Sequence, residues 1–239
     1  MALCVTMANK PDLPIVAPSP LPPGGPASWV KGFSIADGLR VERPFALAPM
    51  SGVTDTAFRR MVQSASGGAV GLFVTEFIAI EGLSRQNLMA RTRMAFDPET
   101  ERPLAVQVFG ADVDGMVAAA RLVQRSGAQL FDINCGCPAP KVVRRGGGAG
   151  LMRDPEHLAR MIEAVRGAVD IPVSVKIRSG WDEQSVNAVE VAQRCEQAGA
   201  TMIAIHGRTR TQLYGGAPDW HIIEAVARAV QVPVIGSGD

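Results

Sequence analysis

Asp132-Ile133-Asn134-Cys135-Gly136-Cys137-Pro138 is the stretch on which the reading of this chain turns. It closes an apolar run, Leu130-Phe131-Asp132-Ile133-Asn134, that reads as a buried strand, and it opens a loop rich in Gly and Arg. Gly136 frees the backbone of the turn and Pro138 fixes it. A reactive side chain at the C-terminal end of a strand is how a parallel α/β barrel presents its chemistry.

Working outward, apolar runs alternate with helical patterns on both sides. Downstream, Asp154-Pro155 starts a helix in the cap-then-proline manner over 154–168. Strand runs follow at 172–177, 202–206 and 233–236, with helices over 185–198 and 218–229. Upstream, strands are expected at 45–49, 71–76 and 104–109. Helices are expected over 54–63, with Thr54 as N-cap, and over 112–125, ended by Gly127. The stretch 78–103 is less regular and holds one short helix near 81–89. The strands are apolar almost throughout, as when both faces of a parallel sheet are covered. No GxGxxG follows the first strand, which argues against a doubly wound sheet. Met50, Glu76, Gln107, Asn134, Lys176, His206 and Ser237 each end a different strand, which describes a barrel rim. The expected fold is α/β, a TIM-type (β/α)8 barrel truncated after the seventh strand, whose open edge invites pairing. Residues 1–37, with prolines clustered from Pro11 to Pro26, read as a disordered leader, and 38–239 as the barrel domain.

Bulk properties narrow the function. A charged fraction of 20% beside 47% hydrophobic residues suits one large globular domain. No apolar run approaches the ~20 residues that span a bilayer, so no membrane partner is expected. The net charge of +1 means that any RNA site must come from local clusters. The four cysteines fit neither a disulfide framework nor paired CxxC zinc knuckles, so reduced thiols in a cytoplasmic protein and no metal are expected.

Ala48-Pro49-Met50-Ser51-Gly52-Val53-Thr54-Asp55 resembles the opening motif of the tRNA-dihydrouridine synthases, and Ile133-Asn134-Cys135-Gly136-Cys137-Pro138 is similar to their active-site motif. Lys176-Ile177-Arg178, His206-Gly207-Arg208-Thr209 and Gly236-Ser237-Gly238-Asp239 match later motifs of that family in order. The resemblance implies reduction of the C5=C6 bond of uridine in tRNA, with hydride from reduced FMN and NADPH as reductant. It implies that Cys137 is the acid. A thiol with a pKa of about 8.5 is protonated near neutral pH and can donate. Position alone leaves Cys137 open between an acid and a structural thiol. Cys135 points the opposite way along a strand and reads as structural.

The resemblance further implies that Pro49, Met50 and Ser51 lie along the flavin ring and that Gln107 and His206 contact it. Lys176 would stabilise negative charge on the reduced ring. Ser237, Gly238 and Asp239 would face its phosphate. Asn134, Lys141 and Arg178 are assigned to substrate. Lys141, Arg144, Arg145 and Arg153, interleaved with Gly146, Gly147 and Gly148, read as a flexible basic loop able to reach phosphates near an extruded base. The family's eighth strand, its second phosphate loop and its C-terminal helical domain have no counterpart in these residues. Two other readings stay open: an FMN barrel oxidoreductase acting on a small molecule, such as the dihydroorotate dehydrogenases, and a catalytically silent fragment.

Overall fold

The structure is a computed structural model of the chain and describes residues 5–7, 32–85 and 87–238. Most of the expected leader, residues 8–31, and the phosphate contact expected of Asp239 lie outside the described residues.

The elements run β1 (Val5–Met7), β2 (Phe33–Ala36), β3 (Leu39–Val41), β4 (Phe45–Leu47), α1 (Thr56–Ala65), β5 (Val70–Val74), β6 (Ile78–Ala79), α2 (Ile80–Ser84) and α3 (Leu88–Met94). They continue with β7 (Leu104–Phe109), α4 (Val113–Arg125), β8 (Leu130–Asn134), α5 (Pro140–Val143), a 3-10 helix (Gly148–Arg153) and α6 (Pro155–Arg166). The last are β9 (Val173–Arg178), α7 (Ala188–Gln197), β10 (Met202–His206), α8 (Trp220–Ala229) and β11 (Val234–Ser237). The strands β4, β5, β7, β8, β9, β10 and β11 lie side by side, parallel and in chain order, as a nearly closed barrel. The short β1 runs antiparallel along the free side of β11. Among the described residues no helix is long and apolar enough to cross a membrane.

Strand alternation divides the core in two. Phe73, Val106, Phe131, Ile133, Val175, Ile203 and Val234 point outward and meet the apolar faces of α4, α6, α7 and α8. Ala46, Leu72, Ala105, Leu130, Met202 and Ile235 belong to a second cluster and fill the barrel's interior near the strand starts. Phe33, Ile35 and Val41 from the β2–β3 hairpin complete that cluster, so the hairpin floors the N-terminal mouth. Burying each such side chain contributes about 1.5–3 kcal/mol. This corrects the leader boundary, because 33–37 belong to the folded unit. The Asp37-Gly38 turn, with Gly38 at φ +78°, is the hairpin signal that marks it.

Three local expectations also change. Asp55, not Thr54, caps α1, accepting from Phe58 N at 2.8 Å. Thr54 is buried, and its hydroxyl bonds the backbone of Met50 instead. The stretch 78–103 holds a short strand and two helices, β6, α2 and α3, rather than one helix. The Gly-rich basic loop is built, not slack: α5 and the 3-10 helix occupy it, and Gly147 and Gly148 are buried.

Candidate active site

Above the apolar floor the barrel interior turns polar. In-register neighbours on adjacent parallel strands share a face, which sets Gln107, Asp132 and Ser174 in one row and Asn134 beside Lys176 above it. These groups form a string. Ser174 Oγ donates to Asp132 Oδ1, and Gln107 Nε2 donates to Asp132 Oδ2 at 2.6 Å. Asn134 Nδ2 donates to Gln107 Oε1 at 2.8 Å. Asn134 Oδ1 in turn accepts the backbone N–H of Cys137 at 2.8 Å and of Gly136 at 3.2 Å. The cysteine loop thus hangs from the barrel interior by a chain of side-chain amides. Burial raises the Asp132 carboxyl above its usual range, against the Ser174 and Gln107 donors and the nearby Lys176 charge.

The string ends at a cavity of about 890 Å³ at the C-terminal face, within the size range of small-molecule sites. Pro49, Met50, Ser51, Asn134, Cys137, Lys176, Arg178, His206, Ser237 and Gly238 all line it. The Met50 turn is pinned by Thr54 and by Gly52, at φ +75°, whose N–H bonds the Glu76 carboxylate. Glu76 also meets Arg93 at 3.6 Å, which gives this strand-end acid a bracing role. Lys176 Nζ reaches Ser237 Oγ at 3.4 Å, across β10. His206 Nε2 lies 3.2 Å from Arg208 Nη1, so that nitrogen is the acceptor.

Cys137 is half-buried on the cavity wall, and burial raises its thiol pKa; the Ala139 backbone bond and the Arg178 charge oppose this and do not overcome it. Cys135 points the other way, fully buried among the outward core, as its strand position requires. Gly148 presses on this loop at φ +57°; a Cβ there would stand 2.6 Å from Cys137 O.

Two of the expected site residues lie off the cavity wall. Gln107 does not line the cavity: it is fully buried one row below, its amide engaged by Asp132 and Asn134. Lys141 stands exposed on α5, outside the lining residues, because the proline-started turn Pro140–Val143 carries it past the rim. Arg178 lines the cavity but spends its donors on protein. Its Nε bonds Gly136 O, and its Nη1 bonds Thr209 O and Leu213 O, all at 2.9 Å. One guanidinium therefore ties the cysteine loop to the loop after β10. Leu213 and Tyr214 line the cavity and escaped the sequence reading. Tyr214, the chain's single tyrosine, is 77% exposed, and its ring stands 6.5 Å from that of His206. A lone aromatic in a polar loop just after His206-Gly207-Arg208-Thr209 is the signal that marks it.

The sequence model described as dihydrouridine synthase (Dus) matches residues 46–239. A probable tRNA-dihydrouridine synthase of Rhodobacter capsulatus is 49% identical over 203 residues, covering 85% of this chain and 62% of the relative. One of Rhizobium leguminosarum is 44% identical over 84% of this chain and 62% of its own length. tRNA-dihydrouridine synthase B of Pseudomonas aeruginosa is 42% identical over 81% of this chain and 57% of its own. The chain thus spans roughly 60% of the length of these curated relatives. With a family match running from β4 to its last strand, this chain belongs to the dihydrouridine synthase family.

Proposed function

We propose that this chain is the barrel portion of a tRNA-dihydrouridine synthase, which reduces the C5=C6 bond of uridine in tRNA with Cys137 as the proton donor. The observation that carries this reading is the Cys137 thiol. It faces a large C-terminal cavity, on a loop held from below by Asn134, and burial keeps it in its protonated form. The cavity's chemistry suits FMN: Ala48, Pro49 and Met50 offer an apolar wall for a flat ring. Lys176 offers an ammonium for its electron-rich edge, and Ser237 and Gly238 offer donors for its phosphate. FMN held there by Met50, Lys176 and Ser237, and reduced by NADPH, would supply the hydride for C6. Cys137 delivers the proton to C5, which completes saturation of the bond. The Arg178 brace keeps the thiol's loop and the Tyr214 loop at fixed separation while the base enters.

The experiment is anaerobic. The chain is loaded with FMN, reduced with NADPH, and mixed with an unmodified tRNA transcript. Reoxidation by tRNA, with dihydrouridine in the product, supports the reading. Cys137→Ala is expected to keep flavin reduction and to slow tRNA-dependent reoxidation by about 10²–10⁴-fold. Because the raised thiol donates only while protonated, the wild-type rate falls as pH climbs past the ordinary thiol range, about 8.5. Reoxidation by a small molecule such as orotate, with tRNA inert, favours the small-molecule oxidoreductase. A chain that takes up no flavin favours the silent fragment.

A further inference from the structure

Beside the cavity, three successive βα loops bring two guanidiniums onto one indole. Arg153 ends the 3-10 helix after β8, Trp181 lies in the loop after β9, and Arg210 lies in the loop after β10. Both guanidinium carbons stand 4.8 Å from the Trp181 ring centroid. Backbone bonds from Arg210 N to Gly180 O at 2.9 Å and from Thr211 N to Trp181 O at 3.0 Å hold the two loops in step. Neither arginine makes an ion pair among the described residues. Arg210 Nε is buried without a hydrogen-bond partner among them. Two like charges are therefore gathered on one ring with no carboxylate paired to either among the described residues. The indole face offsets part of the repulsion, and an anion shared by both guanidiniums would offset the rest.

We propose that Arg153, Trp181 and Arg210 form a binding site for a backbone phosphate of the RNA strand whose base enters the cavity. The site rests on the RNA reading above and adds a place where the strand is gripped. Location selects a phosphodiester over a free carboxylate. The loop after β8 carries both Cys137 and Arg153, β9 ends in the cavity-lining Arg178 shortly before Trp181, and the loop after β10 carries both Arg210 and Tyr214. A nucleotide with its base in the cavity leaves its flanking phosphates on this rim, where planar guanidiniums present paired donors.

The test is direct binding of an unmodified tRNA transcript to the 239-residue chain across a salt series. The Arg153→Gln/Arg210→Gln chain is expected to bind about tenfold or more weakly at low salt. Its plot of log affinity against log salt should be shallower by about one to two. The Arg153→Lys/Arg210→Lys chain should recover the slope but only part of the affinity, since lysine supplies charge without the fork or the stack. This pair of variants also separates a lost contact from a lost fold. Wild-type affinity and slope in the glutamine chain overturn the site, as does a wild-type chain that binds no tRNA. A wild-type chain that binds tRNA through these arginines yet forms no dihydrouridine overturns the synthase reading and leaves the phosphate site standing.

Discussion

Asp132 accepts at both oxygens, from Ser174 Oγ and from Gln107 Nε2, and that decides the orientation of every amide above it. Gln107 must turn its Nε2 toward the carboxylate, Asn134 must then offer Nδ2 to Gln107 Oε1, and Asn134 Oδ1 is left for the Cys137 loop. Gln107→Glu sets a second buried carboxylate against the first. One of the two must then hold a proton, so its folded pKa rises above the unfolded value. A raised folded pKa means stability present below the unfolded carboxylate range, about 4, and lost as pH climbs through the folded value. The variant is expected to lose about 3–5 kcal/mol near pH 8 and distinctly less near pH 5, read from urea midpoints. An equal loss at both would sink this account. The sequence places Gln107 at a strand end with polar chemistry, which is right. Which row of the interior it occupies depends on the stagger between strands, which no single strand's pattern encodes.

Helix α1 is held to the segment before β7 by Arg59 and Glu101, both fully buried, with Nε 2.5 Å from Oε2. Each nitrogen of Arg59 and each oxygen of Glu101 has a partner: Arg59 also reaches Thr54 O and Ala95 O, and Glu101 also accepts from Thr56 and from Asp97 N. Arg59→Met leaves a buried carboxylate alone and is expected to cost about 3–5 kcal/mol, whereas Arg59→Met with Glu101→Leu should cost less than the sum of the single changes. A denaturation series that finds strict additivity would refute the coupling. This pairing explains why 78–103 was hard to read. Its order comes from partners on α1 and from Glu76 with Arg93, not from its own hydrophobic period. The same holds for the basic loop, whose glycines read as slack but are packed, Gly148 against Cys137, Gly146 against Ala111 and Gly147 against Gly110. By contrast, α4 and α6 were legible nearly to the residue, because each carries an amphipathic period and an Asp cap, at Asp112 and Asp154.

The barrel as a whole was legible from its strands, since the strand-and-helix alternation and apolar runs leave few arrangements besides a parallel sheet covered on both faces. The floor was not, because a short hairpin after a proline-rich stretch offers only a brief alternation. The outer core adds a titration behaviour of its own. Burial pushes the Cys195 thiol up to about 12, well above its ordinary value. Unfolded thiols ionise near 8.5, so this group's stabilisation is intact below that and drains away as pH rises toward 12, by about 1.4 kcal/mol per pH unit. Stability measured from pH 8 to 11 should fall, and Cys195→Ala should flatten the decline; an unchanged slope would contradict it. The hairpin floor has a further consequence, for traffic. A barrel plugged at one end has a single doorway, so whatever enters first is the last to leave. On the proposed function, a flavin ring held near Met50 and Lys176 beneath tRNA would have no exit through the floored end. Saturating tRNA should therefore slow the exchange of bound FMN for free FMN, and an exchange rate indifferent to tRNA would mean that the vessel leaks.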